Sequence, residues 1–363
     1  MDILFVASEL APYAKKGGLA DFSAALSKTL RHLGHNVTLA LPRFPDFERA
    51  GLLVARRLTP LPFELGGQSF EATIYDGRLP SGVNIILLDV PGWFERDGIY
   101  GDANGDFEDN PMRFAVFSRA IVELLVQRFK AGSPFQIAHL NDWPTSLVAL
   151  YGKRIANQEL EESTKYVLTV HNLVDQGIAP ADMLGQLGIG DDLFHPDGVE
   201  FYGKINILKA GLNFADALTT VSETYAREIT TPSQGHGLEG VLSVHQAKLS
   251  GIVNGIDYGI WNPATDPFLP TRFDAQDPLN KMRCKTDLIQ ELDFEMRNER
   301  PIAAFVGRFS EQKGIDLLLD ALPQMMRSNL ALVIAGDGPN EICSRVADVA
   351  NKWKGQISFV PSP

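Results

Sequence analysis

The sequence predicts an α/β protein made of two doubly wound domains, each with a mainly parallel sheet. Two patterns support this fold class. Strand-like segments alternate with amphipathic helical ones through the first 250 residues, and a second alternation of the same kind begins at Pro301. A chain of 363 residues is long enough for two domains. We place one domain at residues 1–250, a proline-rich connection at 251–300 and the first part of a second domain at 301–363.

The N-terminal segment predicts a βαβ unit with a ligand-binding turn. Ile3–Ala7 and Asn36–Leu41 are strand-like, and between them AKKGGLADF (Ala14–Phe22) opens a helix whose apolar residues recur every three or four positions. Such a turn brings backbone N–H groups and a helix N-terminus to the carboxyl edge of a sheet. That edge suits an anion or a sugar.

The glycine turn also offers candidate side chains. It contains neither GxGxxG nor GxxxxGK[ST], so it fits neither common phosphate fingerprint. Gly17 and Gly18 would let a ligand approach the backbone, Lys15 supplies a movable positive charge and Asp21 supplies an acceptor. The alternative is an ordinary βα turn with solvated lysines.

The next segments have strand and loop character. Phe63–Tyr75 and Val83–Val90 have strand character, and Gly92–Pro111, rich in Gly, Asp and Asn, predicts a long functional loop. Trp93, Phe94 and Tyr100 in this loop would suit stacking on sugar rings. The alternative is a loop folded down on its own side chains.

Four further strands each end in polar residues. They are followed by NDW, HNL, SET and NGID, and helical segments intervene between them. In a doubly wound sheet, ligands gather at the carboxyl ends of the strands. An ordinary helix cap or turn is the alternative for any single residue. The residues expected to share this edge with Lys15 are Asn141, Asp142, His171, Asn172 and Asn254.

The second alternation carries two cations in its first loop. After the strand IAAFVG, the loop RFSEQKG places Arg308 and Lys313 five residues apart, which lets them close around a diphosphate. Solvated surface charges are the alternative. If this loop faces the glycine turn, the two domains would hold a nucleotide diphosphate in the cleft between them, which implies transfer from an activated donor.

Composition excludes several classes of protein. A chain with 45% hydrophobic and 21% charged residues is an ordinary globular protein, and a net charge of -12 argues against nucleic-acid and anionic-membrane partners. Cys284 and Cys343 are isolated, so neither a disulfide framework nor a zinc site is indicated. The N-terminus lacks a leader pattern, and no apolar run approaches the roughly 18 residues of a membrane helix. We therefore expect a cytoplasmic protein. No acidic pair after a strand resembles a DxD metal clamp, so we expect no metal or other cofactor.

Nine ordered sequence blocks resemble bacterial glycogen synthases and plant starch synthases. They run from FVASELAPYAKKGGLADF to VIAGDGP, and the most specific are KxGGL at Lys15–Leu19 and TVSETYAREI at Thr220–Ile229. The resemblance implies a retaining glucosyltransferase of family 5, with two Rossmann-like domains facing a cleft in the GT-B arrangement. It also implies ADP-glucose, or less often UDP-glucose, as donor and the non-reducing end of an α-1,4-glucan such as glycogen as acceptor.

The family's functional residues can be carried over onto matching positions. The resemblance places His171 beside the transferred glucose, Lys15 and Gly18 on the donor phosphates, and Asp21 on a sugar hydroxyl. It implies catalytic roles for His171, Asp142, Arg308 and Lys313. The resemblance implies Lys15, Gly18, Asp21 and Glu9 as substrate-binding residues, and Asn172 and Asn254 are added because they lie at the carboxyl edge of the predicted sheet.

The sequence departs from the family pattern in two places. Asn141 stands where the family commonly has the first histidine of HDWH, and because Asp142 is kept and Pro144 suits a first helical turn, we expect a modest effect. Family members also continue beyond the last residue of this sequence, so we expect little or no activity from this chain alone. The alternative is a catalytically inactive glucan-binding remnant, which would bind glycogen but not ADP.

Other interpretations are less well supported by the motifs. A sucrose synthase or a trehalose-phosphate synthase is disfavoured by KKGGLAD and TVSETYAREI. The sequence does not predict the oligomeric state.

Overall fold

The computed structural model describes residues 1–102, 105–154, 158–296 and 299–361. The chain forms two compact units, Met1–Gly255 and Ile256–Pro363, and each has its own hydrophobic core. Most of the segment that the sequence suggests as a connection, residues 251–300, belongs to the second unit. A helix forms there at Lys281–Glu291.

The first unit is an α/β sandwich. Its strands are β1 (Asp2–Val6), β2 (Asn36–Pro42), β3 (Val54–Arg56), β4 (Leu61–Leu65), β5 (Gln68–Arg78), β6 (Asn84–Asp89), β7 (Gly101–Asp102), β8 (Gly105–Asp106), β9 (Ile137–Asn141), β10 (Lys165–Val170), β11 (Ile178–Pro180), β12 (Glu200–Phe201), β13 (Lys204–Asn206), β14 (Ala217–Thr220) and β15 (Leu249–Gly251). Its helices are α1 (Gly18–His32), α2 (Pro45–Arg49), α3 (Asn110–Lys130), α4 (Trp143–Arg154), α5 (Gln158–Ser163), α6 (Ile207–Phe214), α7 (Glu223–Glu228) and α8 (Glu239–Val244).

A ten-stranded sheet forms the middle layer of the first unit. Its order is β15-β14-β10-β9-β1-β2-β6-β5-β3, with β4 paired to β5. The strands from β15 to β6 are parallel, as the sequence predicts, and β1 pairs with β2 and β9. Strand order reverses at β1, because the chain first builds outward through β2 and later continues from β9 on the other side. Such a switch point is where open α/β sheets bind ligands.

Both faces of the central strands are covered. Leu4, Phe5 and Val6 of β1 are fully buried, which is expected of a parallel strand between two layers of helices. On one face, α4 packs between α3 and α6. A Cβ at Gly211 of α6 would lie 2.6 Å from Ser146 Oγ of α4, so glycine permits the close approach of these two helices. Within the described residues, no helix has the length and apolar character needed to cross a membrane.

The segment with predicted strand character at residues 63–75 is interrupted by a turn. Phe63–Tyr75 is not a single strand but parts of β4 and β5, which pair antiparallel with Leu65 opposite Gln68. Gly66 and Gly67 have φ values of 57° and 75°, and they form the tight turn between the two strands. The antiparallel strands β3, β4 and β5 extend the parallel sheet on the side of β6.

The second unit contains a smaller parallel sheet. Its elements are α9 (Lys281–Glu291), β16 (Ile302–Val306), α10 (Ile315–Met325), β17 (Ala331–Gly336), α11 (Asn340–Lys352) and β18 (Ile357–Pro361). The strands are parallel in the order β16-β17-β18, as the predicted βαβ alternation requires. Phe309, Ile315 and Val346 lie in its core.

Two glycines fix the carboxyl ends of β16 and β17. Gly307 and Gly336 both have φ near 150°. A Cβ at Gly336 would lie 1.9 Å from the carbonyl oxygen of Gly307, whereas a Cβ at Gly307 would meet open space. We expect Gly336→Ala to unfold the second unit, because a backbone carbonyl cannot move aside. Gly307→Ala should cost only about 1–3 kcal/mol from backbone strain.

Hydrogen exchange of the β16–β18 amides measures this difference. Gly336→Ala and Gly307→Ala introduce the same backbone strain, since both positions have the same φ. A difference between the two variants therefore reports the steric overlap at Gly336. Equal exchange rates in the two variants would contradict the predicted contact.

Candidate active site

Glu9 holds the glycine turn in place. It follows β1, is only 4% exposed, and its Oε2 accepts the backbone N–H groups of Lys16 at 2.8 Å and Gly17 at 2.7 Å. Gly18 begins α1, and a Cβ built there meets no atom within 4 Å. The carboxylate therefore fixes the backbone of the turn at Lys16 and Gly17, while the space next to Gly18 stays open to a ligand.

Tyr100 connects the loop at residues 92–111 to the same carboxylate. Its O–H donates to Glu9 Oε1 at 2.9 Å, and its oxygen lies 2.7 Å from Ser8 Oγ. Burial, together with the charge of Glu9, raises the pKa of Tyr100 well above its usual value, so the hydroxyl remains a donor. Phe94 is fully buried and cannot stack on a sugar. The structure favours the folded-down loop over the predicted stacking surface; Ala103 and Asn104 lie outside the described residues.

Arg113 anchors this loop from α3, and sequence reasoning did not single it out. The side chain is fully buried, with Nε donating to Trp93 O at 2.9 Å and Nη1 to Ile99 O at 3.1 Å and Asn110 Oδ1 at 2.7 Å. Its guanidinium also lies over the ring of Phe107. Burial lowers the pKa of Arg113 to about 10. The available signal was an arginine on the apolar face of a predicted helix, in PMRFAVF.

Lys15 and Asp21 form an ion pair with each other. Nζ of Lys15 lies 2.9 Å from the Asp21 carboxylate, and both side chains are nearly half exposed. An exposed pair of this kind contributes little to stability. A ligand that binds either side chain would therefore compete with a weak intramolecular contact, and the predicted ligand roles of both residues stay predictions.

Asp142 and His171 meet at the carboxyl ends of β9 and β10. Asp142 has φ of 56°, and its carboxylate accepts the backbone N–H of His171 at 2.7 Å and the backbone N–H of Asn172. Its own N–H donates to Thr169 O at 2.9 Å. Burial raises the pKa of Asp142 to about 7, although the two backbone bonds act in the opposite direction. The predicted pair is thus one hydrogen-bonded unit.

Two contacts hold the partly buried His171 ring in place. Nε2 lies 3.0 Å from Asn141 Oδ1, and the ring packs edge-to-face on Phe22 of α1 with centroids 4.4 Å apart. Burial lowers the pKa of His171 to about 4, so the imidazole is neutral at pH 7. A neutral ring in this position can orient a polar group but cannot offer a positive charge.

The buried Asp142 carboxyl makes a testable contribution to pH dependence. Its folded pKa of about 7 exceeds the unfolded value of about 3.9, so its stabilising contribution is complete below pH 4 and is lost as pH rises to 7. Asn tolerates a positive φ, so Asp142→Asn should remove this loss. The quantity to follow is the free energy of unfolding of the variant minus that of wild type. We expect this difference to increase by on the order of 3 kcal/mol from pH 4 to pH 8.

Urea unfolding at both pH values measures this change. His139 and His171, whose pKa values burial lowers to about 4, titrate alike in both proteins and cancel in the comparison. Parallel pH profiles for the two proteins would contradict the raised pKa of Asp142.

Two further asparagines are predicted at the carboxyl edge of the sheet, which we call the rim, and they differ from each other. Asn172 Nδ2 donates to Asp175 Oδ2 at 3.0 Å and its Oδ1 accepts the N–H of Val174, as in an ordinary turn. Asn254 is exposed beyond β15, two strands away from β10 along the same edge. The structure brings Glu9, Asp142, His171 and Asn172 near the switch point and leaves Asn254 farther along the rim.

The predicted cation loop of the second unit is exposed. Phe309 is 1% exposed, and its N–H donates to Asp337 O at 2.6 Å, which ties the loop to the turn after β17. Gly314, with φ of 74°, is the N-cap residue that precedes α10. In the part of the chain that the structure describes, the exposed side chains of Arg308 and Lys313 have no hydrogen bond or ion pair. Both cations are therefore available to an anion.

No group of three or more His, Cys, Asp or Glu side chains within the described residues could hold a metal ion.

Two family models match the chain. Residues 2–244 match the starch synthase catalytic domain, and residues 290–353 match glycosyl transferases group 1. The glycogen synthase of Geotalea uraniireducens is 39% identical over 368 residues, which cover 99% of this chain and 73% of that protein. Glycogen synthase 2 of Geobacter metallireducens is 40% identical over 361 residues, which cover 99% of this chain and 74% of that protein.

A solved structure is similar over the whole chain. The catalytic domain of starch synthase IV from Arabidopsis thaliana, bound to ADP and acarbose, has a TM-score of 0.89 and 31% identity; the match covers 100% of this chain and 74% of that one. The fold and the rim of polar residues thus define a glycosyltransferase with the GT-B fold. More specifically, the chain belongs to the glycogen and starch synthase family, as the sequence motifs predict.

Proposed function

We propose that this chain transfers glucose from ADP-glucose to the non-reducing end of an α-1,4-glucan with retention of configuration. The observation that carries the proposal is the cluster of Glu9, Asp142 and His171 at the switch point of the first unit's sheet. The glycogen synthases among its relatives and the ADP-bound starch synthase IV support the choice of reaction and of an adenine nucleotide.

Each rim residue has a chemical role in this proposal. His171 lies beside the transferred glucose and orients it as a neutral ring, while Asp142 holds the His171 backbone through the 2.7 Å bond. Gly18 and Lys15 contact the donor phosphates, and Asp21 accepts a hydrogen bond from a sugar hydroxyl once it leaves Lys15. Asn172 and Asn254 are the further substrate contacts, whereas Glu9, which is only 4% exposed, acts by holding the glycine turn.

In this reaction no covalent bond forms between glucose and the protein. The bond between glucose C1 and the phosphate oxygen breaks, and its electron pair leaves with ADP. The acceptor's 4-hydroxyl oxygen bonds C1 on the same face and gives its proton to the leaving phosphate oxygen. A double displacement would instead need a carboxylate placed to attack C1, and the Asp142 carboxylate is occupied by backbone N–H groups. We therefore favour departure and attack on one face.

Arg308 and Lys313 neutralise the departing diphosphate in this proposal. A guanidinium offers two parallel donors and an ammonium a point charge, so together they stabilise negative charge as it develops. The reaction then needs no metal ion or other cofactor.

Donor competition tests the proposal. The chain is incubated with glycogen and radiolabelled ADP-glucose or UDP-glucose, and the label in precipitated glycogen is measured. The proposed function predicts incorporation from ADP-glucose, with unlabelled ADP-glucose competing more strongly than UDP-glucose. The inactive glucan-binding remnant, and the low activity expected from the sequence alone, predict little or none. Incorporation from UDP-glucose alone, or from neither donor, would contradict the proposal.

A further inference from the structure

The amide of Asn141 has only one possible orientation. The side chain is fully buried, and its Nδ2 lies 2.9 Å from the backbone carbonyl oxygen of Val6 in β1. A carbonyl oxygen can only accept a hydrogen bond, so the atom facing it must be the NH2 group. The atom 3.0 Å from His171 Nε2 is therefore the amide oxygen, Oδ1.

This orientation determines where the proton of His171 sits. Oδ1 of Asn141 has lone pairs and no hydrogen, so a hydrogen bond to Nε2 requires the N–H to be on Nε2. Because the ring is neutral at pH 7, its other nitrogen, Nδ1, then carries a lone pair. Within the described residues, Nδ1 has no hydrogen-bond partner.

We propose that Asn141 is a positioning residue that locks His171 in the Nε2–H tautomer and thereby presents Nδ1 as a hydrogen-bond acceptor. Edge-to-face packing on Phe22 restricts the ring's rotation. An acceptor nitrogen takes a hydrogen from a sugar hydroxyl and repels a phosphate oxygen. The lock therefore selects a sugar, and not the diphosphate, as the neighbour of the ring.

The lock gives the asparagine at position 141 a larger role than the modest effect expected from the sequence. A neutral histidine at this position could present either a donor or an acceptor to His171, depending on its own tautomer. An asparagine whose Nδ2 is bound to Val6 O presents only an acceptor. Asparagine in place of the family's histidine thus fixes whether a donor or an acceptor faces His171.

Two titratable groups lie next to His171, and their charges must be considered in a test of its protonation. Asp142 accepts the His171 backbone N–H, and His139 of β9 has a pKa lowered to about 4 by burial and by the charge that His171 acquires on protonation. The ring of His139 is held separately, with Nε2 2.7 Å from Thr169 Oγ1. At pH 7, where both rings are neutral, His139 can therefore serve as an internal control for an intact sheet.

Nitrogen-15 NMR of the full chain with labelled histidine tests the tautomer directly. His171→Gln identifies the signals. We expect wild type to show one neutral tautomer, with the proton on Nε2, from pH 8 down to pH 5. A proton on Nδ1, or an average of the two tautomers, would overturn the proposal.

Two variants test the role of Asn141. Asn141→Leu, of similar size, removes the acceptor and should release His171 into a tautomer mixture while His139 keeps its signals. Asn141→Asp keeps an acceptor but adds a charge, and should raise the pKa of His171 by about 1–3 units. An unchanged His171 spectrum in the leucine variant would count against the lock, as would an unchanged pKa in the aspartate variant.

The kinetic consequence rests on the proposed function, whereas the tautomer does not. For glucosyl transfer, Asn141→Leu should lower kcat by about 10²-fold with the donor KM nearly unchanged, because a misoriented ring affects the reacting geometry more than binding. A released tautomer with an unchanged kcat would refute the positioning role. If wild type transfers no glucose from either donor, the proposed function fails, and the NMR result still decides the tautomer.

Discussion

Arg308→Ala and Lys313→Ala should each lower kcat for glucosyl transfer from ADP-glucose by on the order of 10²–10³. Both side chains are exposed on the loop between β16 and α10, so their removal leaves the core of the second unit untouched. A cation that meets the diphosphate only as it departs stabilises the transition state more than the bound donor. We therefore expect the donor KM to change much less than kcat.

Conservative and distant variants provide the controls. Arg308→Lys keeps the charge but loses the planar fork, so its rate should fall between wild type and Arg308→Ala. Lys352 is exposed at the end of α11, on the opposite edge of the β16–β18 sheet, and Lys352→Ala should leave kcat unchanged. Steady-state release of ADP measures all four rates. Equal rates for the loop variants and Lys352→Ala would rule out this role.

Glu9→Ala should produce the largest loss of order in the first unit. Three donors converge on this buried carboxylate, the N–H groups of Lys16 and Gly17 and the hydroxyl of Tyr100. Removing it leaves the donors without an acceptor, and we expect a cost of about 3–5 kcal/mol in the free energy of unfolding. Because the glycine turn loses its anchor, the donor KM should rise as well.

Glu9→Gln is the matched control. Its amide oxygen can accept from Lys16 and Gly17 while its NH2 group donates to the Tyr100 oxygen, so its cost should be about 1 kcal/mol. Hydrogen exchange of the Lys16 and Gly17 amides, together with urea unfolding, distinguishes the variants. Unchanged amide protection in Glu9→Ala would show that the turn does not depend on the carboxylate.

The sequence predicts the rim because that feature is local. A buried strand followed by polar residues can be recognised within about ten positions, and the carboxyl ends of parallel strands share an edge. This reasoning predicts Asp142 and His171 at one edge, although they follow different strands. The same reasoning missed the turn at Gly66 and Gly67, because the flanking residues kept a strand-like pattern.

The contacts that organise the site are not local, and the sequence pattern could not supply them. Tyr100 reaches Glu9 across 91 residues, and Asn141 reaches Val6 across 135. Their geometry depends on how β1 and β9 pair and on how the long loop folds over β1. The sequence pattern also does not predict the ion pair of Lys15 with Asp21, because their separation of six residues is not one at which side chains on a helix meet.

Product analysis on a short acceptor tests the central claim most directly. An α-1,4-linked glucose oligosaccharide labelled at its reducing end is incubated with the chain and ADP-glucose, and the products are separated by length and examined by proton NMR. The proposed function predicts an oligosaccharide longer by one glucose at the non-reducing end, joined by an α-1,4 bond, with one ADP released for each glucose added. A β-linked product, or ADP release without any lengthening, would contradict it.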